Sequence, residues 1–522
     1  MLLNIQVIKT ISLFYINMKK LILALLFLCF INSVKAQNSY DIKINLKNCK
    51  DTLAYLTFYQ FDKNMIVDTC TQIKNGRIIF SGKKKLDKGI YSLIGQGKSI
   101  YFDFFIDDKT QKLEINSDEI FNFRAALTCT NSKLENDFFK YIQYFDVQKN
   151  EFDAHLLKTK GMNKKDSIAF VSGKQKIINE NIENYENEFV IKNKGTFIGD
   201  ALNLKIEKYL KDIPKASNGR PDSIAVYNYY KKHYWDNVDF KEDGLVRTPF
   251  FAGRLKRYFE SVVVRHPDSV SVEIDRIMKQ TVEGSLMFKL LLAHFVSTYE
   301  TSKVMGFDKV FVHIVDNYFK TGKAKDLYND DNIVKNIIDR AAILRPLLIG
   351  EIAPELPMIP IESHDKIAKM GFETAKTSEE VTKLFYANTQ EIERTFLKLH
   401  SIKAEYLLLV FWDVDCSHCK VEIPKLIEIY HQLQKEKKDV KVFCVYTQQE
   451  FEAYQKYVTE KNLDWINVYD GVHYNNLKDK YDIYSTPVIY ILDKNKRIKA
   501  KRIDVDQIKP ILDVLEAEKK VK

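Results

Sequence analysis

Two cysteines separated by two residues, Cys416-Ser417-His418-Cys419, are the side chains of this sequence best suited to chemistry. They follow an apolar run from Tyr406 to Trp412 and open a stretch with helical patterning that extends to about Gln434. A pair placed between a strand and a helix can close a disulfide within one helical turn. The first sulfur then lies at the helix N-terminus, where unpaired amides and the helix dipole favour a thiolate. The thiolate is the attacking species in disulfide exchange, so a lowered pKa makes such a site reactive near neutral pH.

Two other uses of the same residues compete. Cys416, His418 and Cys419 are all potential metal ligands, but a structural zinc site takes its ligands from two separated pairs, and only single His431 and His473 lie nearby. A purely structural disulfide across two residues closes a very small loop and removes little entropy from the unfolded chain. The strand–dithiol–helix order therefore points to redox exchange, with no metal.

Around the dithiol the chain reads as α/β. Val440 to Tyr446 is a second strand and Glu450 to Glu460 a second helix. Val488 to Leu492 and Ile498 to Arg502 form a hairpin, and a last helix starts near Asp506. Five residues, Pro346, Gly350, Pro354, Pro357 and Pro360, mark the boundary ahead of this part. Before it, from about 125 to 345, long amphipathic stretches predict an all-α domain; Val310, Phe311, Ile314, Val315 and Tyr318 show the spacing. Residues 40 to about 117 alternate apolar and polar, as in Ile42, Ile44 and Leu46. Asn75-Gly76 suggests a hairpin turn between Cys70–Ile73 and Arg77–Phe80. This predicts a small antiparallel β sandwich or barrel.

The whole chain has 522 residues, 45% of them hydrophobic and 12% aromatic, with 18 Gly and 11 Pro, which excludes a disordered protein. A net charge of +10 over this length gives no argument for nucleic acid. Seven cysteines are too few for a disulfide-rich scaffold. Cys49 and Cys70 are the pair that would bridge in an oxidising compartment, with Cys129 left over, although connectivity is not readable from spacing.

Met18-Lys19-Lys20 precedes an apolar run of 11 residues, Leu21 to Ile31, and Val34-Lys35-Ala36 offers small residues for a signal peptidase. Eleven residues are too few to cross a bilayer, which needs about 20. Residues 1–36 are expected to be a cleaved export signal, with 1–17 an upstream extension. The mature chain is expected in a bacterial periplasm without stable membrane insertion. The domains follow as 37–122 (β), 123–345 (helical) and 346–522 (α/β).

Residues 350 to 522 resemble the thioredoxin superfamily, specifically exported thiol–disulfide oxidoreductases of the TlpA/ResA type. The resemblance rests on Gly350-Glu351-Ile352-Ala353-Pro354, Phe411-Trp412, the dithiol, Pro424 and Thr486-Pro487. It implies a thioredoxin fold with Cys416 and Cys419 catalytic. Pro487 would be cis beside the dithiol and Thr486 would pair with substrate. Glu422 stands where the family carries an acid that tunes the cysteines. His418 replaces a proline common in reductants and is similar to the histidine of the oxidase DsbA. A histidine there favours the thiolate and raises the potential. Val410 stands where thioredoxins have a buried acid, Asp415 where they usually have Trp, and the stretch from Ser363 to Ile402 is longer than expected. The β region is similar to a domain of unknown function found ahead of such modules. Tyr234 to Phe240 and Arg265 to Ser269 resemble a helical domain of the same architecture.

The expected function is periplasmic disulfide exchange with protein thiol or disulfide substrates. No organic cofactor is required, but an electron-transfer partner must reset the dithiol. The alternative is an envelope binding or assembly protein that uses a redox-silent thioredoxin-like domain for docking. A thiol peroxidase fits less well, because Phe411 to Cys416 lacks the Pro-x-x-x-Thr/Ser-x-x-Cys arrangement.

Overall fold

The computed structural model describes residues 39–47, 49–97, 100–118 and 123–521, so the export signal expected at 1–36 lies outside the described residues. The chain divides between Val262 and Val263 into two compact units. That division falls inside the stretch 123–345, which helical patterning alone suggests as one domain.

The first unit begins with eight strands: β1 Tyr40–Leu46, β2 Ala54–Gln60, β3 Lys63–Cys70, β4 Arg77–Gly82, β5 Gly89–Gly95, β6 Tyr101–Ile106, β7 Lys112–Ser117 and β8 Thr128–Cys129. They form two four-stranded sheets, β4-β1-β7-β8 and β3-β2-β5-β6. Strict alternation buries every second residue of β1, with Ile42 and Ile44 fully inaccessible, as a half-covered sheet requires. Two details differ from the expectation. β1 and β7 pair in parallel, so the first sheet is mixed. Asn75-Gly76 does turn the chain, with φ of 53° and 72° and a bridge from Lys74 to Arg77. The strands on either side of the turn then enter different sheets. Gly76 is needed there because a Cβ would stand 1.9 Å from the Leu46 carbonyl oxygen. The hairpin partner of β3 is β2, joined through Phe61-Asp62.

Cys49, Cys70 and Cys129 are free thiols, which corrects the suggested Cys49–Cys70 bridge. Cys70 lies opposite Ala54 at the end of β3, whereas Cys49 packs beside the Gly76 turn and directs its thiol at the Asp51 carbonyl.

A long helical hairpin follows, α1 Lys133–Leu157 and α2 Lys164–Lys192. Ser132 and Asn163 cap their first amides. The shorter helices α3 Phe197–Asn203 and α4 Phe251–Arg257 follow, with Ile198, Ala201, Phe251 and Leu255 buried.

The second unit opens with helices at Pro267–Met278, Leu286–Glu300 and Asp308–Ile314, then α5 Asp331–Leu344. His266 caps the first of these with Pro267 at its first turn. A seven-stranded sheet comes next, in the order β10-β9-β13-β12-β11-β14-β15. Its strands are β9 Pro357–Pro360, β10 Leu397–Lys398, β11 Tyr406–Trp412, β12 Val440–Tyr446, β13 Ile466–Tyr469, β14 Val488–Asp493 and β15 Ile498–Lys501. The central strand β11 runs parallel to β12 and antiparallel to β14, and all seven of its residues are buried. Alternate residues feed two cores. Leu408, Val410 and Trp412 pack with residues of α6 Ser417–Lys435, while Leu407, Leu409 and Phe411 pack with Leu347, Tyr481 and Tyr490. The extra stretch 363–402 is mainly helical. The chain closes with α7 Leu477–Tyr481 and α8 Ile508–Val521.

Candidate functional site

The dithiol sits where β11 ends and α6 begins. Sheet pairing on both sides of β11 fixes its last residue, Trp412, opposite Tyr446. The Trp412 ring packs against Tyr446, Tyr454 and Tyr457, so it supports the site from inside rather than flanking it at the surface. Four residues later Cys416 adopts an extended conformation (φ −69°, ψ 122°) and caps α6, its sulfur accepting the Cys419 amide at 3.4 Å. Serine, threonine or aspartate usually takes this position, so a sulfur anion meets amides already aimed at a cap acceptor.

The two sulfurs have opposite environments. Cys416 is half-buried and Cys419 is buried with 1% exposure. Burial by itself would raise the Cys416 pKa. The Thr486 side chain and the amides of Cys419 and His418 outweigh that effect and hold the thiol below its ordinary value. Burial pushes the Cys419 thiol up to about 12, and the neighbouring Cys416 sulfur adds to the rise. A dithiol divided in this way has one sulfur poised to attack and one held in reserve.

Thr486 and Pro487 join the dithiol as the resemblance implied. The Thr486–Pro487 bond is cis, and the Cys416 thiol donates to the Thr486 carbonyl at 3.1 Å. Both residues are half-exposed, so an incoming chain can reach them. His418 contributes its backbone amide, while its side chain is exposed. Glu422 is differently engaged. One carboxylate oxygen accepts from Lys425 at 2.7 Å and the other from the Val505 amide at 3.3 Å, which ties α6 to the segment leading into α8. Val410 is fully buried between Cys444 and Ile489, so the strand carries no acid at that point. Cys444 is also fully buried, and burial raises its pKa well above the ordinary thiol value. Among the described residues no group of three His, Cys, Asp or Glu side chains converges in a way that could hold a metal ion.

Beside the cis-proline loop lies a polar cleft of about 520 Å³, whose lining includes Asp413, Thr447, Gln448, His473, Lys478 and Thr486. No single stretch of sequence carries these residues, because they come from four loops at the ends of different strands and from α7. One local signal was available. Tyr484 is an exposed aromatic two residues before Thr486, at 59% exposure.

Residues 404–498 match a family described as thioredoxin-like, residues 40–138 match a domain of unknown function (DUF4369), and residues 172–333 match another (DUF5106). No protein of curated function matches the chain. Among solved structures, a domain of a possible thiol-disulfide isomerase from Cytophaga hutchinsonii is 30% identical, covering 34% of this chain and 99% of that domain, with a TM-score of 0.27. A thioredoxin-like protein from Bacteroides caccae is 18% identical over 59% of this chain and 99% of that one, with a TM-score of 0.35. The thioredoxin domain of a thiol-disulfide oxidoreductase from Bacteroides vulgatus is 20% identical over 32% and 96%, with a TM-score of 0.24. The C-terminal domain is thioredoxin-like, and it follows two domains whose families have no assigned function.

Proposed function

We propose that this chain, with its thioredoxin-like C-terminal domain, is a thiol–disulfide oxidoreductase acting on protein substrates. The observation that carries the reading is the asymmetry of the dithiol: a half-exposed Cys416 held below the ordinary thiol pKa, beside a buried Cys419 pushed up to about 12. The Cys416 thiolate attacks one sulfur of a substrate disulfide. The substrate S–S bond breaks, and its second sulfur leaves with the electron pair. Cys419 passes its proton to that departing thiolate and attacks Cys416 in the mixed disulfide. This displaces the substrate's first sulfur as a thiolate, which takes a proton from water, so the substrate leaves with two thiols, having gained two electrons. The chain is left with a Cys416–Cys419 disulfide, which a separate thiol-bearing partner must reduce; run in reverse, the same steps oxidise a substrate dithiol.

Thr486 and Pro487 form the platform that receives the substrate backbone. The exposed His418 next to Cys419 favours a more oxidising poise than a proline would. Glu422 contributes to redox tuning only by keeping α6 in place. The basic, apolar and small-residue segments from Met18 to Ala36 support export to the periplasm, where disulfide exchange has substrates.

Equilibrium redox titration of the mature protein against glutathione and dithiothreitol, with a Cys416→Ser control, tests the reading. A reversible two-electron transition lost in the control is the expected result. A midpoint near about −270 mV marks a reductant and one near about −120 mV an oxidant. No transition between those buffers would leave the domain as a docking module.

A further inference from the structure

The loop that carries Thr486 is held by a residue far outside the thioredoxin-like sheet. Asp482 follows α7 in a left-handed conformation (φ 57°) and is 1% exposed. Its carboxylate receives both terminal nitrogens of Arg340 from α5, the second at 3.1 Å, in a bidentate fork. Arg502 donates to the same carboxylate at 2.6 Å and to the Asp482 carbonyl at 2.5 Å. The Arg340 guanidinium also lies 5.5 Å from the centre of the Tyr484 ring, and the Lys478 ammonium lies 4.8 Å from it. Two residues beyond Tyr484, the Thr486 carbonyl is 3.1 Å from the Cys416 sulfur.

Charge balance does not require two guanidinium groups on one carboxylate. Arg502 alone neutralises Asp482, and its amide donates to the Ile489 carbonyl at 2.8 Å, so it belongs to the sheet. Arg340 adds geometry. Its planar fork fixes the orientation of the Asp482 carboxylate, and its stack on Tyr484 steadies an otherwise exposed ring. The segment between these contacts and the dithiol is only Ser485 and Thr486.

We propose that Arg340 is a positioning residue for disulfide exchange: through Asp482 and Tyr484 it fixes the loop that holds Thr486 against Cys416. The assignment rests on Cys416 being the attacking thiol. It makes α5 part of the working unit, so the thioredoxin-like residues need that helix for full reactivity. When the fork is removed, the Thr486 group is less well placed against the sulfur, and small misplacements of this kind are costly in rate.

The test uses the full mature chain. The pH profile of Cys416 alkylation by iodoacetamide and the rate of reduction of a model peptide disulfide are measured for wild type, Arg340→Met, Arg340→Lys and Tyr484→Leu. Denaturant midpoints are measured alongside. Arg340→Met is expected to change the pH profile of alkylation and to slow exchange at neutral pH by about tenfold, as the loop that presents Thr486 to the sulfur loses its place. Arg340→Lys keeps the charge without the fork and should recover little. Tyr484→Leu changes an exposed ring, so it should keep the fold and shift the profile in the same direction by less. A lower denaturant midpoint with the wild-type profile and rate retained would overturn the proposal, as Arg340 would then be structural only. A wild-type profile at the ordinary thiol value with no exchange would overturn the functional reading itself, and the proposal with it.

Discussion

Two polar side chains in this molecule are held by helix ends, one in each unit. In the second unit the Cys416 sulfur lies at the N-terminus of α6 and faces amides. In the first unit Arg254 is 6% exposed and donates to the carbonyls of Asn203, Leu204 and Ile206, at and just beyond the C-terminus of α3, and to that of Tyr234, which ends the helix Ser223–His233. Its guanidinium lies 5.0 Å from the Tyr234 ring centre and 5.6 Å from that of Trp235. Helix polarity accounts for both arrangements: free N–H groups suit an anion and free C=O groups a cation. The difference lies in what the charge can do. A thiolate can be protonated, oxidised or transferred to a substrate sulfur, and its half-exposed position allows all three. A guanidinium keeps its proton at any ordinary pH, and this one is enclosed. The same physics yields a reactive group in one place and a structural keystone in the other.

The largest effect is expected from replacing the Cys416 sulfur. Cys416→Ser is expected to abolish exchange with a peptide disulfide, while Cys419→Ser should trap a mixed disulfide visible on a non-reducing gel. Continued turnover in Cys416→Ser would move the nucleophile elsewhere. Arg254→Met should do the reverse, leaving four carbonyls without their donor. A destabilisation of the first unit by about 3–5 kcal/mol is expected from denaturant titration, with the alkylation profile of Cys416 unmoved.

The pH dependence sharpens the comparison further. Cys416 alkylation should reach half its maximal rate below the ordinary thiol value of about 8.5, while Cys419 stays unreactive near neutrality. Stability of the reduced fold follows the same shifts with opposite signs. The depressed Cys416 contributes stability above its unfolded pKa, and this is lost as pH falls through the folded value. Cys419 favours the fold below its unfolded pKa, and that contribution is lost as pH rises toward about 12. Urea titrations of the reduced protein across this range measure both; a flat profile would mean that neither sulfur is perturbed. The smallest effect is expected for Glu422→Gln. It weakens the contacts to Lys425 and the Val505 amide by about 1 kcal/mol and leaves the thiol profile in place. A shifted profile would return Glu422 to a direct tuning role.

Elements were legible where the determinant is local. β1 shows its alternation in Ile42, Ile44 and Leu46, and β11 its buried run. The helix after the dithiol is visible in its own periodicity. Pairing was less legible. Asn75-Gly76 announces a turn correctly, but no local signal says that the strands it joins enter different sheets. The parallel pairing of β1 with β7 depends on two strands more than 60 residues apart. Arg254 gave no signal, because an arginine in a helix reads as surface until its carbonyl partners are known.

At the site, sequence alone located the two cysteines and the helix that follows them, since spacing of two residues and one strand–helix junction are local properties. Thr486-Pro487 was visible as a dipeptide through its family resemblance. Tertiary structure decided the rest. It set the 3.1 Å approach of Thr486 to Cys416, buried one sulfur and exposed the other, and turned Glu422 toward Val505. It also brought Arg340 to Asp482 across 142 residues of chain. A pKa depends on which dipoles and how much solvent surround a group, and the folded chain supplies both from segments that the sequence keeps far apart.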